Sequence, residues 1–98
     1  MTDGVHVQKQ EGPTGGRYVA RIDGAEAEAT LAYTVRSAGL VSADHTEAPE
    51  SLRGTGAALA LVVRMVADAR ATGFRIVPLC PYVLAQSKRR PDWSDVIA

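Results

Sequence analysis

One apolar stretch constrains this chain more than any other. From about Gly56 to Thr72 the residues Leu59, Val62, Val63, Val66 and Ala69 recur at helical spacing, and Leu61 and Met65 widen the stripe. A helix of this pattern is expected to be buried over most of its circumference. At a rise of roughly 1.5 Å per residue it runs about 25 Å, enough to cross a small sheet. Arg70 falls in its last turn and Gly73 just after it, residue types that complement and stop a helix C-terminus. Strand-like runs flank it, Leu40 to Thr46 before and Phe74 to Leu79 after. A helix between two strands implies a crossover and a parallel pair.

Upstream, the pattern is that of antiparallel strands. Val5, Val7 and Lys9 alternate with His6 and Gln8, and Arg17 to Asp23 puts Tyr18, Ala20 and Ile22 on one face. Ala27, Ala29, Leu31, Tyr33 and Val35 oppose Glu26, Glu28, Thr30 and Thr34, the signature of a half-buried strand. Glu11 to Gly16 is turn chemistry, Asp23-Gly24 is a hairpin signal, and Ser37-Ala38-Gly39 turns the chain again. Leu40 to Thr46 alternates less regularly, which leaves room for a bulge.

Downstream, Pro81 suits the first position of a second helix reaching Lys88 or Arg89, with Lys88-Arg89-Arg90 at its negative end and Pro91 closing it. Asp92 to Ile97 reads as a short tail docking Trp93 and Ile97. Met1 to Asp3 read as a frayed end. The expectation is one α/β (α+β) domain spanning residues 1–98.

Bulk properties narrow the classes. Formal net charge is zero, which argues against nucleic acid or an anionic membrane as partner. The single cysteine, Cys80, allows no internal disulfide and suits a reducing, cytoplasmic setting. Val5 to Arg17 lacks the apolar core of a signal peptide, and the run Ala57 to Val63 is too short to span a bilayer before Arg64. A monomer is expected. No Cys/His cluster has metal-ligand spacing, so no metal is expected.

The chemistry converges on the start of the central helix. Leu52-Arg53-Gly54-Thr55-Gly56-Ala57 joins the strand to that helix. Helix N-termini leave N–H groups unpaired and favour negative charge, glycines let phosphate oxygens approach the main chain, and Arg53 adds a permanent positive charge. The loop is not a P-loop, because no Gly-Lys-Ser/Thr follows, and it lacks the third glycine of the dinucleotide fingerprint. A plain flexible helix entry is the alternative.

Cys80 precedes Pro81, so its sulfur would lie near the positive end of the second helix, where a thiolate is favoured. Against this stands the ordinary role of unpaired cysteines as small buried apolar residues. His45, at the end of the strand before the loop, is a candidate base, or else a histidine fixing the strand end.

Taken together, His45-Thr46-Glu47, Leu52-Arg53-Gly54-Thr55-Gly56, Cys80-Pro81-Tyr82-Val83 and Arg90-Pro91-Asp92-Trp93 resemble the short GNAT-like N-acetyltransferase domains over about residues 5 to 97. The resemblance implies a mixed sheet with the central helix packed on it and acetyl-CoA bound where two parallel strands splay. It implies that Arg53, Gly54, Thr55, Gly56 and Ala57 hold the pyrophosphate and that main-chain groups around His45, Thr46 and Glu47 pair with the pantetheine arm. The matching cysteine, Cys80, would be catalytic. Ser51 departs from the wider pattern, which has Gln or Arg there, and Arg53 is the nearby positive charge.

The function expected is acetyl transfer from acetyl-CoA to an unidentified amine, with Cys80 as nucleophile or proton donor and His45 accepting the amine's proton. A non-catalytic CoA-binding or protein-interaction domain of the same fold is the rival. A structural domain that binds no CoA would make the loop and Cys80 coincidental.

Overall fold

The computed structural model describes residues 4–98. The reading of Met1 to Asp3 as a frayed end lies outside the described residues. Four antiparallel strands come first: β1 (Val5–Glu11), β2 (Gly15–Ile22), β3 (Glu28–Ser37) and β4 (Leu40–Glu47). Helix α1 (Ala57–Thr72) crosses to β5 (Arg75–Pro78), and α2 (Pro81–Arg89) follows. The sheet order is β1-β2-β3-β4-β5, with β4 and β5 parallel as the intervening helix implies.

Alternation decides which side chains meet α1. Tyr18, Ala20, Ala29, Leu31, Tyr33, Val41, Ala43 and Ile76 join one core with Leu61, Val62, Met65, Val66 and Ala69 of the helix. The buried face of α1 is narrower than its apolar stripe. Val63 is 45% exposed, because the face that meets the sheet centres on Leu61 and Met65. Arg70, at the end of α1, anchors the tail: its guanidinium donates to both Asp95 carboxylate oxygens, at 3.1 and 3.0 Å, and to the Asp92 carbonyl. Trp93 and Val96 are buried in the core, whereas Ile97 bridges to Ile76 at the outer edge of β5.

Two local features differ from a simple reading of the residues. Gly15 and Gly16, turn residues by composition, are the first two of β2. A Cβ on Gly16 would collide with the Gln10 carbonyl oxygen, so the close strand approach needs glycine there. The irregularity foreseen between Leu40 and Thr46 is a bulge: Ala32 pairs with His45 and Tyr33 with Ala43, leaving Asp44 as the extra residue. The Thr34 and Ser42 hydroxyls donate to the two Asp44 carboxylate oxygens at 2.5 and 2.6 Å and hold the bulge.

Candidate functional site

The site begins where β4 and β5 part. Their pairing runs only from Leu40 opposite Arg75 to Ala43 opposite Pro78, and the Cys80 N–H donating to the Ala43 carbonyl at 2.8 Å is the last bond across. Proline at position 78 ends the short strand and Pro81 starts α2, so β5 cannot follow β4 further. Among the described residues, β4 continues to Glu47 with no strand beside it on that edge.

A cleft of about 600 Å³ opens from this gap to the start of α1. Thr46, Arg53, Gly54, Gly56, Ala57 and Tyr82 are among its lining residues, and Ala58 and Leu59 of the first turn of α1 extend the wall. Gly54 (φ 81°) and Gly56 (φ 83°) are both left-handed, which explains the Gly-x-Gly spacing. Thr55 turns inward. Its hydroxyl donates to the Leu52 carbonyl at 2.6 Å and accepts from the Ala57 N–H at 3.3 Å, which locks the loop.

The N-cap of α1 is Gly56, which has no side chain to cap it, and the first turn has no acidic residue. Among the described residues, the N–H groups of Gly54, Gly56, Ala58 and Leu59 have no hydrogen-bond partner, and all four residues line the cleft. Arg53 lines it too and has no carboxylate partner among the described residues. Unpaired donors, the positive end of a helix dipole and a free guanidinium form a site suited to an anion.

Behind two of the cleft residues, Thr46 and Tyr82, Cys80 caps α2; it is only 3% exposed and does not line the cleft itself. Its sulfur lies 3.2 Å from the Thr46 hydroxyl. Burial pushes the thiol up, but the Thr46 hydroxyl and the dipoles of the nearby Val83, Tyr82 and Thr46 N–H groups outweigh it and leave Cys80 below its usual range. The Val83 and Tyr82 groups act as oriented dipoles, since no capping hydrogen bond of strict geometry reaches the sulfur. The Tyr82 phenol is shifted the other way: burial raises it, the Arg89 charge lowers it, and Cys80 raises it again. It therefore stays protonated near neutrality.

A family model of GCN5-related N-acetyl-transferases matches residues 17–96. The chain belongs to the GCN5-related N-acetyl-transferase family. No curated protein matches it. Members of this family transfer acetyl groups, generally from acetyl-CoA to an acceptor, and the mixed sheet with its two helices is consistent with a GNAT-like fold. No helix among the described residues is long and apolar enough to cross a membrane.

For a GNAT-family chain, the placement of the residues singled out by sequence is informative. Arg53, Gly54, Gly56 and Ala57 line the cleft, Thr55 lies behind them and braces the loop, and Thr46 joins the cleft to Cys80. His45 and Glu47 are not brought to Cys80. Their side chains project from the opposite face of β4, exposed and paired through His45 Nε2 and Glu47 Oε1 at 3.2 Å. Tyr82, quoted as part of a motif but assigned no role, is a cleft residue. Its place at the second position of α2, beside the capping cysteine, was the available signal.

Proposed function

We propose that this chain transfers the acetyl group of acetyl-CoA to an amine. The observation that carries the reading is the row of unpaired N–H groups at Gly54, Gly56, Ala58 and Leu59, on a cleft continuous with the free edge of β4. In this reading the row and Arg53 hold the pyrophosphate, and the main chain of His45 to Glu47 pairs with the pantetheine arm. That pairing brings the thioester into the gap beside Cys80, where the gap opens the sheet to both faces.

The neutral amine then attacks the thioester carbonyl carbon from the face that carries His45, and His45 accepts the proton it loses. Main-chain N–H groups of the free β4 edge stabilise the developing oxyanion. As the carbon–sulfur bond breaks, the CoA thiolate takes a proton from the Tyr82 hydroxyl or the Cys80 thiol, giving the acetylated amine and CoA. Calorimetry with acetyl-CoA on the native protein and on Arg53→Ala tests the binding half: affinity should fall in the variant. Equal affinity would remove the loop from the reading.

The burial of Cys80 favours a second reading, CoA binding without turnover, because a thiol 3% exposed is a poor nucleophile for bulk reactants. Release of free CoA thiol across a panel of amines separates the two.

A further inference from the structure

The CoA cleft is not the only cavity at the end of β4. A second one, of about 670 Å³, shares Thr46, Ala48 and Pro49 with it and extends across the sheet to Arg17, Glu28, Thr30 and Glu47. These residues are far apart in sequence and are gathered by strand register. Arg17 pairs with Ala32, which pairs with His45; in the next row Val19 pairs with Thr30, which pairs with Glu47. Arg17 and His45 therefore stand at the two ends of one row, about 10 Å apart between backbones by strand spacing; Arg17 lines the cavity, and His45 is tied to it through Glu47, which does.

The charges on this face are not equivalent. Arg21 is held by Glu28 at 3.0 Å, and Arg36 sits 3.6 Å from Asp44. Arg17 has only the neutral Gln10, which accepts from its Nε at 2.7 Å, so among the described residues its terminal nitrogens meet no carboxylate. A guanidinium with donors to spare matches the planar fork of a carboxylate. At the opposite end, the exposed Glu47 carboxylate sits beside the His45 imidazole, a pair able to attract an ammonium and then take its proton.

We infer that this second cavity is the acceptor site and that the acceptor is a small aminocarboxylate. Its carboxylate lies on Arg17 and its amine lies at the His45–Glu47 pair, beside the gap in the sheet. The inference rests on the acetyl-transfer reading and names the substrate class for it. A polyamine or a basic peptide could meet Glu47, since Glu28 is taken by Arg21, but it would bring positive charge against Arg17 and leave that guanidinium unmatched.

The test uses the full chain, first with its acetyl-CoA affinity measured, then with release of free CoA thiol followed for glycine, β-alanine and lysine, their carboxamides, and spermidine. The aminocarboxylates should exceed their amides in kcat/KM by about tenfold to a hundredfold, the loss expected for one charged hydrogen-bonded contact. Arg17→Gln should raise KM for the aminocarboxylates by a similar factor while acetyl-CoA affinity holds, and Arg17→Lys should recover part of it. Amides or spermidine turned over as well as the acids, or an Arg17→Gln enzyme that keeps the preference, would overturn the assignment. The NMR signal of the Arg17 Nε–H gives a readout that needs no CoA: it should shift with millimolar β-alanine and not with its amide. A signal unmoved by every aminocarboxylate sinks the acceptor site, whereas failure of acetyl-CoA to bind sinks only the acetyl-transfer reading.

Discussion

Thr46 and Cys80 show how one contact can set reactivity. Burial is the largest influence on the thiol and opposes ionisation, so the net lowering depends on donors, with the Thr46 hydroxyl first among them. The pH profile of Cys80 alkylation by iodoacetamide should accordingly have its midpoint below that of an unperturbed thiol. Thr46→Val removes the donor and keeps the shape, so the midpoint should move up; an unmoved midpoint would mean the main-chain dipoles act alone. Bound CoA should slow the reaction in both proteins. Gly56 makes a different kind of residue-scale claim. At φ 83° it occupies the left-handed region, so Gly56→Ala should cost about 1–2 kcal/mol of stability by chemical denaturation before any effect on ligand is counted. A neutral result would mean that the loop relaxes freely.

At the scale of elements, α1 shows what periodicity can and cannot reveal. Leu61 and Met65 are fully buried, and Leu61→Ala or Met65→Ala should cost about 2–5 kcal/mol. Val63→Ala should stay within about 0.5 kcal/mol, since the side chain is half exposed; urea denaturation of the three variants decides it. The helical period was legible in the sequence because Leu59, Val62, Val66 and Ala69 recur at it. The axis of the buried stripe was not, because only the sheet decides which neighbouring valine faces inward. The strands were legible by alternation, and the glycine loop by its demand for residues free at positive φ. The bulge was visible only as irregularity, since its extra residue, Asp44, is selected by hydroxyls of Thr34 and Ser42 on two strands. Gly15 and Gly16 misled because composition marks a turn, whereas their reason is the close approach of β1 and β3. The cavity between Arg17 and Glu47 was invisible, since three strands must pair in register before those residues meet.

Ligand binding is a property of the whole molecule, because the cleft draws on the end of β4, the loop, the first turn of α1 and the start of α2 together. None of these holds its shape when the chain unfolds, so acetyl-CoA should bind the native state and not the unfolded one. Free ligand at about 100 times its dissociation constant then adds roughly 2.7 kcal/mol. For a domain of this length each kcal/mol moves the melting temperature by about 4–8 °C, so the rise should exceed about 10 °C in a thermal scan. The source of the rise can be divided by ligand fragments. Pantetheine has the arm proposed for the β4 edge but carries no pyrophosphate, so it should give only a small part of the shift if the unpaired N–H row and Arg53 supply most of the affinity. The charge-driven part should also shrink with added salt, because Arg53 and Gly54 are exposed and screened at a Debye length of about 8 Å near physiological ionic strength. A shift of equal size with pantetheine, insensitive to salt, would move the binding energy from the helix N-terminus to the strand edge. No shift with any of the three ligands, CoA, acetyl-CoA or pantetheine, would remove CoA from the function of this chain.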